Sequence, residues 1–174
     1  MDWYSTVFEL IDMRSFSNLW FWIALAVMWS TASHWVLGVP WDMILRAQRQ
    51  SDQYDTDLHD IVRINTNRLL NIANVSGLWL LGFGCFFLTL LGLLGFVYRF
   101  EFAQAVFLLG FPMSLVGASA LSTARLIREE DATGARLYQL LGRQRMITQV
   151  IGMLSIFVTA LWGMYQNLTY GALG

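Results

Sequence analysis

Residues 69–98 read LLNIANVSGLWLLGFGCFFLTLLGLLGFVY, thirty positions without one Asp, Glu, Lys or Arg. Crossing the hydrocarbon core of a bilayer takes about 20 mostly apolar residues as a helix, and an ionised side chain at its centre costs at least about 2.5 kcal/mol. The run is long enough to span once and free of the groups that would oppose it. Three further stretches, Ser15 to Trp41, Phe102 to Ala124 and Met146 to Gly174, lack the same four residue types, so all 11 basic and 12 acidic residues fall outside four apolar runs. The expected fold class is an all-α membrane protein: one domain, residues 1–174, forming a four-transmembrane-helix bundle with spans at about 19–39, 75–98, 102–124 and 146–168.

Composition excludes several functions. Only 13 % of residues are charged, against roughly 25 % in a soluble domain, and 174 residues leave no room beside four spans for a separate catalytic domain. Every basic residue is Arg, which removes lysine Schiff-base chemistry and a phosphate-loop lysine. The one cysteine, Cys85, lies within a run; it cannot close an intramolecular disulfide or by itself ligate an iron–sulfur cluster or zinc. We therefore expect no catalytic, cofactor or metal site and no nucleic-acid partner.

The segment before the first run carries Asp2, Glu9 and Asp12 against Arg14, the wrong charge for a signal peptide. Trp3, Tyr4, Val7, Phe8 and Ile11 recur at helical spacing opposite that acidic face, predicting an interfacial amphipathic helix over 2–14. Trp20, Trp22, Trp35 and Trp41 mark interface belts for a first span that Pro40 stops, and a short surface helix follows from Trp41. After a polar turn at Ser51 to Asp55, a new helix opens on Asp55, Asp57 and Asp60, where the helix dipole favours carboxylates, and runs unbroken into span two. Arg99, Phe100 and Glu101 require a tight hairpin between spans two and three. From Arg125 to Arg145 the chain is helix-forming except at Asp131 to Gly134, so spans three and four project on the order of 10 Å into water as a helical hairpin.

Arginine counting orients this arrangement. The connection from Asp42 to Arg68 has four Arg and that from Ser122 to Arg145 has five, against one in the N-terminal segment and one in the tight turn. The positive-inside bias places both Arg-rich connections in the cytoplasm and both termini in the periplasm of a bacterial inner membrane. Arg125, Arg128, Arg136, Arg143 and Arg145 then form a face for a protein partner or anionic lipid, since guanidinium forks pair bidentately with carboxylate and phosphate.

Small residues predict close helix approach: Ala26, Ser30 and Ser33 in span one, Gly77, Gly84, Gly92 and Gly95 in span two, Gly110, Ser114 and Ala118 in span three, and Gly152, Ser155, Thr159 and Gly163 in span four. Pro112 is expected to kink span three. Gly117-Ala118-Ser119-Ala120 resembles an intramembrane serine nucleophile, but no His follows it, and Ser119 reads as a packing residue. His34 is the candidate intramembrane functional residue, because an ionisable group inside a span is functional by default. Asn67, Asn71 and Asn74 continue a polar stripe from Asp60 and Arg63.

The opening MDWYSTVFELIDMRSFSNLWFWIALAVMWSTASHWVLGVPWDM and the later FVTALWGMYQNLT resemble a family of small, functionally uncharacterised bacterial membrane proteins labelled as a component of the SufBCD iron–sulfur assembly complex. The resemblance covers the whole chain and implies a membrane-side partner of that assembly, without supplying a catalytic motif. The expected function is a non-enzymatic accessory or scaffold subunit, in contact with the bilayer and a cytoplasmic protein partner, with homo-oligomerisation left open. The alternative is a small transporter or channel using His34, Gln104 and Gln149.

Overall fold

A computed structural model describes residues 16, 19–49 and 53–171. The predicted helix over 2–14 and both termini lie outside these residues. Among them are five helices: α1 (Leu19–His34), α2 (Trp41–Arg49), α3 (Gln53–Gly92), α4 (Glu101–Glu129) and α5 (Gly134–Gly171). Two short antiparallel strands, β1 (Trp35–Val36) and β2 (Val39–Pro40), join α1 to α2. α3 with the π-helical turn that ends it, α4, and α5 are each long and apolar enough to cross a membrane. α1, at 16 residues and about 24 Å, is shorter than the roughly 30 Å hydrocarbon core.

The expectation that the first helix reaches Val39 is corrected. Leu37 (φ 50°) and Gly38 (φ 75°) are both left-handed, a pair that ends a right-handed helix and fits a two-residue hairpin turn. The hairpin buries Val36 and Val39, and Pro40 takes an edge position where its missing N–H is tolerated. Asn65 in α3 donates to the Gly38 carbonyl at 3.3 Å, tying the turn to the long helix.

The other connections follow the reading closely. α3 runs unbroken from Gln53 to Gly92 and passes directly into a π-helical turn, Leu93–Val97. Arg99 (φ 59°) then reverses the chain, and α4 starts at Glu101. Four residues, Glu130 to Thr133, separate α4 from α5, so the break between the two helices falls at the expected place.

Contacts chain the long helices in the order α3, α4, α5, α1. Trp22 lies over Gly163 and Trp29 over Gly152, so α1 runs antiparallel to α5 with its rings in the glycine gaps. The predicted small-residue stripes are therefore right on α5 and partly wrong elsewhere. In α1 the buried face is Phe21, Leu25 and Trp29, with Ala26 and Ser30 exposed. Gly92 at the end of α3 and Gly95 in the π-helical turn meet α4, but Gly77 and Gly84 in α3 have open space around them; Ser114 and Ala118 in α4 are exposed too. Close approach needs one small partner, and aromatic rings fill the other side.

The main hydrophobic core lies at the Arg-rich end. Val39, Ile44, Leu58, Leu137, Leu140 and Leu141 are all at most 2 % exposed there, drawn from β2, α2, α3 and α5. By contrast, only 6 % of the most apolar stretch of α3, and the same of α4, is buried.

Candidate functional site

The five arginines predicted as one face divide by environment. Arg136 is engaged by Glu130 through two hydrogen bonds, 2.7 Å from Nε and 2.9 Å from Nη2. The same contact holds the Glu130 carboxyl below its ordinary range and raises the Arg136 guanidinium. Arg145 sits 4.2 Å over the Trp41 ring, a cation–π contact that fixes α2 against α5. Arg125, Arg128 and Arg143 are exposed, and none of them makes an ion pair among the described residues. The predicted face is thus three free guanidiniums and two that hold the platform together.

The start of α3 and the start of α5 are joined by a polar clasp that the sequence alone did not single out. His59 Nε2 accepts from the backbone N–H of Gly134 at 3.0 Å, satisfying one of the unpaired donors at the start of α5. Its Nδ1 donates to the Asp55 carbonyl at 2.8 Å, so the ring is held as the Nδ1–H tautomer. One turn into α5, Tyr138 donates its hydroxyl to the Asp55 carboxylate. Burial, then that bond, pushes the phenol up to about 12. The start of α3 and the start of α5 are clasped at two points. The four-residue spacing of Asp55 and His59, and of Gly134 and Tyr138, was visible in the chain; their pairing was not.

Beside the clasp a cleft of about 390 Å³ opens between α3 and the hairpin tip, with Asp60, Arg63, Thr66, Asn67, Arg128 and Asp131 among its lining. Asp60 accepts from Arg63 at 3.1 Å across one turn. Thr66 is only 3 % exposed, and its hydroxyl has no hydrogen-bond partner among the described residues.

His34 stands at the last position of α1, half-exposed, with Nε2 3.8 Å from the Asp42 carboxylate, which also meets Arg46 at 3.6 Å. It faces other polar groups rather than the interior of the helix array. Gln104 is buried, donates to the Gly95 carbonyl at 2.8 Å, and accepts from Trp162 at 2.9 Å and from Gln166. Gln149 is exposed on α5. The structure does not bring His34, Gln104 and Gln149 together. Ser119 joins another closed network, donating to Val116 O at 2.8 Å and accepting from Gln144 at 2.9 Å, while Thr123 donates to Gln144 at 2.9 Å. No group of three His, Cys, Asp or Glu that could hold a metal ion occurs among the described residues.

Comparisons with family models, curated proteins and solved structures yield no match.

Proposed function

We propose that the chain is a non-enzymatic accessory or scaffold subunit of a bacterial inner-membrane complex, anchored by four spans and docking a protein partner on its Arg-rich cytoplasmic face. The single observation carrying this reading is where the packing lies. The best-buried core and the Asp55–His59–Tyr138 clasp are at the Arg-rich end, next to three arginines without an ion pair among the described residues, while only 6 % of the most apolar stretches of α3 and α4, and 28 % of that of α5, is buried. A well-packed platform with unpaired guanidiniums suits carboxylate-bearing partners. The resemblance noted from the sequence suggests iron–sulfur assembly as the setting.

α1 supports four spans because it runs beside α5 from Gly163 to Gly152, a rise of about 16 Å through the most apolar part of that helix. Trp22, Trp29 and Trp41 extend that contact from one end of the run to the other. Positive-inside orientation places both termini in the periplasm. A periplasm-active reporter fused after Gly174 is expected to function, and activity confined to a cytoplasm-active reporter overturns the topology.

The docking face is tested by capture of the full chain in gentle detergent, followed by mass spectrometry of what co-purifies. Replacing Arg125 and Arg143 with Gln is expected to release a partner that the wild type retains. A wild type without partners, or a double variant that keeps them all, overturns the docking reading.

A further inference from the structure

The start of α5 is held to α3 through an acceptor that titrates. The first N–H groups of a helix have no partner within it, and the side chains that most often satisfy them are Ser, Thr, Asp and Asn, whose oxygens stay acceptors around neutral pH. Here the Gly134 N–H is met instead by His59 Nε2, 75 positions earlier in the chain, at 3.0 Å. An imidazole nitrogen is the side-chain acceptor that turns into a donor between about pH 5 and 8.

The bonds on the two sides of the ring define where an added proton goes. A backbone N–H can only donate, so Nε2 carries no hydrogen, while Nδ1 gives its own to the Asp55 carbonyl at 2.8 Å. Protonation therefore places a hydrogen on Nε2, facing the N–H of Gly134. Two donors then oppose each other and the bond is lost. The second point of the clasp, from the Tyr138 hydroxyl to the Asp55 carboxylate, does not pass through the ring.

Charged groups around His59 act in both directions. On α3 the Asp55 carboxylate stands 3.5 Å from Nδ1 and favours the imidazolium. The cleft that His59 lines holds Asp60 and Arg63 from the same helix, already paired with each other, and Arg128 and Asp131 from the hairpin tip, one charge of each sign. From α5 come the positive end of the helix dipole, which opposes the added charge, and Tyr138, bound to Asp55. Asp55 thus gives the protonated ring a counter-charge on its Nδ1 side, and its Nε2 side meets a donor.

We propose that His59 is an acid-released latch: protonation of its imidazole frees the start of α5 from α3 and loosens the hairpin tip between Glu130 and Gly134. That tip joins the helix ends bearing Arg128 and Arg136, so the order of this segment follows the pH of the compartment it faces. The latch rests on the geometry of the clasp and is independent of the docking reading.

The test uses the full chain in detergent, with nitrogen-15 labels on the histidine rings and the backbone read by NMR between about pH 8 and 5. The chain has two histidines, so His34→Asn assigns the other ring. At the alkaline end His59 is expected as the neutral tautomer with its hydrogen on Nδ1, and the Gly134 N–H as protected from exchange. As the ring takes up a proton, the protection factor of Gly134, corrected for the intrinsic pH dependence of exchange, should fall about tenfold, the scale of one hydrogen bond. His59→Gln, whose side-chain carbonyl can still accept, should keep protection and remove its pH dependence. A hydrogen on Nε2 at the alkaline end, a ring that stays neutral down to pH 5, or Gly134 protection that does not change while the ring titrates overturns the proposal. A pH-dependent loss that persists in His59→Gln does the same. The wild-type readings decide the matter even where the variant does not fold, and with no partner in the sample they are separate from failure of the docking reading.

Discussion

Glycine positions separate contacts that sequence spacing treats alike. A Cβ on Gly95 would stand 2.9 Å from the Gln104 backbone nitrogen, and one on Gly152 would stand 2.8 Å from the buried Trp29 ring. The first neighbour is backbone and cannot retreat without moving a helix, and the second is a ring only 4 % exposed, with little room to turn. Gly95→Ala and Gly152→Ala are each expected to destabilise the fold by about 1–3 kcal/mol. Gly77→Ala adds its methyl to open space in mid-helix and should be neutral or slightly stabilising. Thermal unfolding of the three variants in one detergent decides the matter, and equal behaviour would show that these helix contacts do not limit stability. Gln104 is the second case. Replacing it with Leu strands the Trp162 N–H and the Gly95 carbonyl, with an expected loss of about 1–3 kcal/mol in the same measurement.

The clasp between α3 and α5 has a pH signature with a defined sign. Tyr138 titrates at about 12 in the fold, above its ordinary value near 10, so its bond to Asp55 contributes fully below pH 10 and is lost as the pH rises towards 12. Stability is expected to fall across that window, and Tyr138→Phe should flatten the fall, as read by denaturant unfolding against pH. Such elements show what the chain disclosed and what it withheld. Charge-free runs, the acidic start of α3 and the Asp131–Gly134 break are local signals, and the helices from Gln53 onward begin and end close to them. The Leu37–Gly38 turn was hidden because Pro40 offered a simpler stop signal. The division of the five arginines was hidden because it depends on Glu130 and Trp41, which one-dimensional spacing places beside several arginines without choosing among them.

Across the complete fold, stability and apolar area are in different places. Leu140→Ala removes side-chain volume from the core shared by α2, α3 and α5, and should cost about 2–5 kcal/mol. Leu81→Ala, on the exposed side of α3, should change stability by less than about 0.5 kcal/mol in detergent. If the two variants unfold alike, the platform is not the stabilising unit. The same separation bears on what the sequence shows of the candidate site: a positive excess in two connections is a compositional fact, whereas the cleft is assembled from α3 and a hairpin tip more than 60 positions away.

The exposed Cys85 on α3 has a practical corollary for assembly. With one thiol per chain, a nitroxide attached there needs no mutagenesis and places exactly one spin on each copy. A monomer then gives no intramolecular dipolar pair, so any modulation in a pulsed-resonance experiment comes from a neighbouring copy, and its frequency gives the spacing between two α3 helices.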